Sequence, residues 1–267
     1  MIKIDGGGFD IPAIFVTPQG RAPFPAVVLL HGTMSQKDEV GGLFARLAVQ
    51  LAEAGIASLR IDFRGCGDST EPQTDMTITT EVADGTAALN WLRARPDIGP
   101  LALAGFSQGG LIASLIAGTD PRVAALVQWG SGAINMMNSY FGDLREQASR
   151  DGHVTLDMPW RSFTFSREWF DTAAATDVEA VIAGYRGPLL CVACEGDDIV
   201  PSSASRALIA ASSSTDATLK IFEGGDHIFG VLEPDQSKGD FLSKDQSIAE
   251  QTLALTTTWL SKRLSLT

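Results

Sequence analysis

Leu101-Ala102-Leu103-Ala104-Gly105-Phe106-Ser107-Gln108-Gly109-Gly110 decides how this chain is read. An uninterrupted apolar run predicts a buried strand over Leu101–Ala104, and the small residues that follow predict a helix over Ser107–Ala117. Between them lies Gly-x-Ser-x-Gly. A sharp strand-to-helix turn holds the central serine in a strained backbone conformation and leaves no room for side chains two residues before or after it. Gly105 and Gly109 stand at those positions. The turn would project the Ser107 hydroxyl above the sheet at a helix N-terminus, where the backbone N–H of Gln108 can stabilise an oxyanion. The plainer alternative is a glycine-rich turn with an ordinary serine cap.

Outward from this stretch the chain alternates apolar runs with amphipathic ones. Strands are expected at Ile11–Thr17, Ala26–Leu30, Ile56–Ile61, Val123–Gln128, Pro188–Ala193 and Thr218–Phe222. Helices are expected at Leu43–Ala54, stopped by Gly55, at Thr80–Arg95, closed by Pro96, and at Ser202–Ala211 and Asp245–Leu264. Strands that are apolar nearly throughout and separated by helices imply a mostly parallel sheet covered on both faces, an α/β class.

Residues 131–187 break the rhythm, because 57 residues separate two predicted strands there. They carry eight of the twenty aromatics and three of the six methionines. A structureless loop would not carry that apolar load, so the interval is expected to be an inserted cap on a single domain spanning residues 1–267. Some of its aromatics, Trp160 and Trp169 above all, are expected to face a cleft as substrate-binding residues.

A serine nucleophile needs a base, and the chain has three histidines, His31, His153 and His227. His227 follows the last predicted strand, at the sheet edge that carries Ser107. Asp197 and Asp198 follow Pro188–Ala193 at the same edge and are the candidate acids that would orient it. The order Ser107, Asp197 or Asp198, His227 is that of a nucleophile, acid and base in turn along the chain, each at a strand end. His31 precedes Ser107 and has no acid at a matching strand end, so it is expected to brace its loop. The loop after Ala26–Leu30 must lie beside Ser107, which makes the backbone N–H of Thr33 the second oxyanion donor.

These residues together resemble the α/β-hydrolase superfamily over nearly the whole chain, and within it the bacterial carboxylesterases of the cinnamoyl or feruloyl esterase type, which carry a modest inserted cap. The motifs are His31-Gly32-Thr33, Asp62-Phe63-Arg64-Gly65-Cys66-Gly67-Asp68-Ser69, the Gly105–Gly110 elbow, Asp197-Asp198-Ile199-Val200-Pro201 and His227. Relatives with an Asp-x-x-Val-Pro stretch use its first aspartate, which implies Asp197. The chain departs from many relatives at Thr33, where they carry an aromatic, and at Cys66, where they carry histidine. The resemblance implies an α/β-hydrolase fold and a serine esterase that needs no metal or organic cofactor. Such an esterase would cleave small-molecule esters through an acyl-enzyme, and the aromatics of the cap lead to the expectation of bulky or aromatic acyl groups.

Composition excludes other classes. A net charge of −12 with no basic stripe argues against nucleic acid. No apolar run approaches the ~18–20 residues of a membrane helix, and Met1–Asp5 carries no apolar leader core, so a soluble cytoplasmic protein is expected. Gly65-Cys66-Gly67 lacks the third glycine of a dinucleotide cradle. Cys191 and Cys194 share a predicted strand, where residues three apart face opposite sides, so they are read as core rather than as a metal or redox pair. His153 is read as a surface or cap-packing residue. A peptidase, thioesterase or acyltransferase on the same triad remains open, as does a non-catalytic ligand-binding protein. The sequence leaves the oligomeric state open, a homodimer included.

Overall fold

The computed structural model describes residues 1–132, 141–158, 161–233 and 242–264. Ten strands are described: β1 (Ile2–Asp5), β2 (Asp10–Val16), β3 (Phe24–Leu30), β4 (Ala57–Ile61), β5 (Ile98–Phe106), β6 (Val123–Trp129), β7 (His153–Met158), β8 (Arg161–Ser166), β9 (Leu189–Cys194) and β10 (Ala217–Phe222). The α-helices are α1 (Leu43–Glu53), α2 (Ile78–Arg93), α3 (Gln108–Thr119), α4 (Gly142–Asp151), α5 (Arg167–Ala175), α6 (Val178–Ile182), α7 (Ser202–Ala211) and α8 (Ser247–Arg263). Eight strands form one sheet in the order β1-β2-β4-β3-β5-β6-β9-β10. Only β1–β2 and β2–β4 pair antiparallel; the other five ladders are parallel, as the apolar runs predict.

Strand alternation divides the interior between the two faces. Val28, Leu30, Leu103, Leu126 and Cys191 face a core completed by α2, α3, α6 and α7. Val27, Leu29, Ala104, Val127 and Cys194 face a second core completed by α1 and α8. Cys191 and Cys194 therefore lie on opposite sides of the sheet, and burial pushes both thiols up to about 12. Among the described residues no helix is long and apolar enough to cross a membrane.

Between β6 and β9 the chain leaves the sheet. It forms α4, the antiparallel hairpin β7–β8, and α5 before α6 returns to the body. The hairpin is amphipathic with period two: Val154, Phe163 and Phe165 are buried, whereas Thr155, Asp157 and Ser162 are exposed. α6 lies so close to α3 that a Cβ at Gly118 would collide with the Val181 carbonyl.

Two differences from the sequence reading have simple causes. β1 is a short edge strand whose only fully buried side chain is Ile4, too little apolar signal to register. Helix α2 begins at Ile78 rather than Thr80, because Thr77 caps it, its hydroxyl accepting from the Thr80 N–H while the Thr80 hydroxyl accepts from the Thr77 N–H.

Candidate active site

Ser107 stands between β5 and α3 with φ 52° and ψ −121°. This is a conformation that side chains other than glycine avoid, and positive φ at such a residue is a strained, over-determined position. The surroundings impose it. The Ser107 N–H donates to the Trp129 carbonyl of β6 at 2.8 Å, while its own carbonyl accepts from Gly110 and Leu111. A Cβ at Gly105 would strike the Gly109 carbonyl, and one at Gly109 would strike the Leu30 carbonyl. The two glycines let strand and helix backbones touch, and that contact fixes the turn.

The loops after β5, β9 and β10 meet at one edge of the sheet. His227 Nε2 lies 2.9 Å from Ser107 Oγ, and His227 Nδ1 lies 2.8 Å from Asp197 Oδ2. The other carboxylate oxygen of Asp197 accepts from the Ile199 and Val200 N–H groups at 3.0 and 2.7 Å. Asp197 is 5% exposed and wholly occupied by donors. Asp198 points to solvent. The ring of Phe106 packs on His227 with centroids 5.0 Å apart. With Nδ1–H donated to Asp197, the geometry leaves Nε2 as the acceptor facing the serine hydroxyl, the tautomer a general base requires.

His31 is placed differently. It is fully buried, its Nδ1–H donates to the Gly32 carbonyl at 2.8 Å, and its Nε2 accepts from the Phe63 N–H at 3.2 Å. Burial lowers its proton affinity despite the charge of nearby Glu39, so the ring stays neutral and joins two loops. His153 is exposed at the start of β7.

Three carboxylates to which the sequence reading assigned no role, Asp62 among them although its motif was noted, hold the loop carrying Thr33. Glu39 accepts from the Gly32 and Val40 N–H groups and the Ser35 hydroxyl. Asp62, fully buried, accepts from the Lys37 N–H and ammonium, each at 2.7 Å. Glu81 anchors a chain: Gln108 Nε2 donates to Glu81 Oε2, and the Thr33 hydroxyl donates to Gln108 Oε1 at 2.9 Å. The side chains of the two expected oxyanion donors are thus tied to each other and to Glu81. Glu81 lies in the first turn of α2, where an acid reads from sequence only as a complement to the helix dipole.

Glu81 sits fully buried, and among the described residues no cation pairs with it and its second oxygen has no partner. Burial pushes its carboxyl well above the ordinary range, outweighing the Gln108 donor, and the Asp84 charge adds to the rise. It is therefore neutral in the fold at pH values where the unfolded chain ionises it. Folding then takes up a proton, and stability is lost as pH rises from the ordinary glutamate value towards the folded one. Glu81→Gln removes that uptake. Urea unfolding at pH 5 and pH 8 should show a loss of stability in the wild type that is smaller in Glu81→Gln; equal losses would mean that the carboxylate is charged in the fold.

A cavity of about 730 Å³ opens over Ser107 and His227. Its walls include Met34, Phe141, Leu156, Met158 and Leu232, with Thr33 beside the serine. Trp169, expected at this wall, is not among the lining residues. α5 turns Trp169, Phe170 and Ala173 inward, and Trp169 packs against Phe165, Phe170 and Phe141 at 4.7, 4.9 and 5.5 Å between centroids. An amphipathic helix laid on a hairpin buries its large rings between the two, and most of the aromatics described in this interval go there. Of those rings Phe141 reaches the cavity. Trp160 lies outside the described residues.

The sequence model of the alpha/beta hydrolase family matches residues 27–237. The chain belongs to the alpha/beta hydrolase family. Esterase EstD of Thermotoga maritima is 34% identical over 112 residues, which are 40% of this chain and 27% of that esterase. An uncharacterised protein of Mycobacterium tuberculosis, Rv2307c, is 29% identical over 189 residues, covering 71% of this chain and 58% of the relative. The chain therefore spans well under two thirds of both. Among hydrolases of solved structure, Est1E from Butyrivibrio proteoclasticus with ferulic acid bound superposes with a TM-score of 0.77 at 20% identity, over 99% of each chain. At that identity the superposition speaks for the alpha/beta hydrolase fold.

Proposed function

We propose that this chain is a serine esterase that cleaves carboxylic esters through an acyl-enzyme on Ser107. The observation that carries the reading is the hydrogen-bonded line Ser107–His227–Asp197 at the mouth of a cavity with apolar walls. His227 takes the hydroxyl proton as Ser107 attacks the carbonyl carbon. Asp197 holds the imidazole tautomer and stabilises the imidazolium that forms. The N–H groups of Gln108 and Thr33 receive the oxyanion, the first at the N-terminus of α3, where the helix dipole adds to the hydrogen bond. His227 then protonates the departing alcohol, and in the second half-reaction it deprotonates the water that releases the acid. The esterase among the sequence relatives and the ferulate-bound structural neighbour support this reading.

The part of residues 131–187 that leaves the sheet serves as a cap whose inner side receives the acyl group. Phe141, Leu156 and Met158 supply its apolar surface. Burial of one methylene is worth about 0.8 kcal/mol, or roughly fourfold in specificity. For acetyl, butyryl, hexanoyl and cinnamoyl esters of one alcohol, kcat/KM should rise about fourfold per added carbon until the cavity is full, with the cinnamoyl ester well above acetyl. Phe141→Ala should flatten that rise. A profile that peaks at acetate would remove the acyl-pocket role, and faster turnover of matched thioesters or amides would move the chain to another acyl-transfer class.

A further inference from the structure

Arg161 opens β8, paired with Met158 at the end of the hairpin, and lines the same cavity as Ser107. It is half-buried. Among the described residues it has no carboxylate at ion-pair distance, whereas Arg60, Arg64, Arg93, Arg95 and Arg122 each have one. Its positive charge reaches the buried His31 and Cys66 side chains, after burial and after the charges of Glu39 and Glu81. Apart from His227, the other acidic or basic side chain on the described walls is Glu39, whose oxygens already accept three hydrogen bonds from its own loop. A planar guanidinium with no hydrogen-bond or ion-pair partner among the described residues, in a cavity whose walls also include Met34, Phe141, Leu156 and Met158, offers a two-pronged donor that only a planar oxyanion satisfies well. In a chain of net charge −12, that local cation is what would draw an anion into this cleft.

We propose that Arg161 recognises a carboxylate carried by the ester substrate, so that the chain acts on anionic half-esters in preference to neutral esters of the same length. This rests on the ester-hydrolase reading above and adds the class of substrate. The apolar walls would hold the connecting methylenes, and the guanidinium would hold the far end. The carboxylate takes no part in bond breaking; it orients the ester over Ser107 and raises its local concentration.

Binding and turnover separate this inference from the reading beneath it. Calorimetry on Ser107→Ala protein compares monoethyl adipate, charged in its acyl part, and carboxymethyl hexanoate, charged in its alcohol part, with neutral diethyl adipate. At least one charged ester should bind on the order of tenfold more tightly than the neutral one, and adding Arg161→Met should abolish the preference while Arg161→Lys keeps part of it. Arg161→Gln serves as a second charge-free variant should the methionine variant fold poorly. No preference for either charged ester, or a preference that survives loss of the charge, overturns the proposal. Turnover of the same esters by protein with Ser107 intact tests the hydrolase reading separately. Selective binding without hydrolysis would refute that reading and leave the carboxylate site in place; hydrolysis without selectivity would do the reverse.

Discussion

Ser107→Ala is expected to lose on the order of 10⁶-fold in turnover and all reactivity towards a fluorophosphonate. The loss should be that large because the remaining machinery, the Gln108 and Thr33 amides and the cavity, can still bind an ester but has no atom to attack it. Alanine keeps the Cβ that the strained turn already accommodates, so the fold should be little altered. Intact-mass analysis after fluorophosphonate treatment should show one adduct on the wild type, mapped to the peptide containing Ser107, and none on the variant. An adduct on another serine, or hydrolysis within tenfold of wild type, would place the nucleophile elsewhere.

Asp197→Asn should cost on the order of 10⁴-fold in kcat with little change in KM. The introduced asparagine is not simply a neutral copy, since its amide N–H₂ facing His227 Nδ1 would favour the wrong tautomer and leave an N–H pointing at Ser107. The Ile199 and Val200 N–H groups, which donate to the other oxygen, would still anchor the side chain. Asp198→Asn should change kcat less than twofold, because its side chain points to solvent. Steady-state kinetics of both variants with one chromogenic ester decides the matter, and comparable losses in the two would deny Asp197 the orienting role.

Much of the sheet was legible because its central strands are apolar on both faces, so their runs need no phase to be seen. The elbow was legible for a different reason: Gly105 and Gly109 are demanded by backbone contact, and that demand fixes residue types at fixed spacing. Asp197 and Asp198 could not be separated by residue type, since both follow β9, and only the fold rotates one towards His227 and the other outwards. The β7–β8 hairpin carried a period-two signal at Val154, Leu156, Phe163 and Phe165, which the density of aromatics obscured by inviting a pocket instead of a small core. Trp169 was read into the cavity on composition alone, and α5 buries it against Phe165. The roles of Glu39, Asp62 and Glu81 were illegible, Asp62 within a noted motif included, because a carboxylate in a loop or first helical turn looks solvated until the partner loops are in place. Arg161 drew no reading from the sequence, because a lone arginine carries no motif until the fold places it on the cavity wall.

Helix α6 sits in the stretch between β6 and β9 but is pinned to α3 through Gly118, so that stretch has two unlike parts. Residues 178–187 are the ordinary crossover that carries the chain back under the sheet. The earlier portion, from α4 through α5, rests on the body without entering its strand ladders. The α4-to-α5 portion can therefore be exchanged, lengthened or reshaped without disturbing the ladders that place Ser107, Asp197 and His227. A graft that cut after α5 would respect that seam, whereas one that also took α6 would carry away part of the foundation on which the elbow stands.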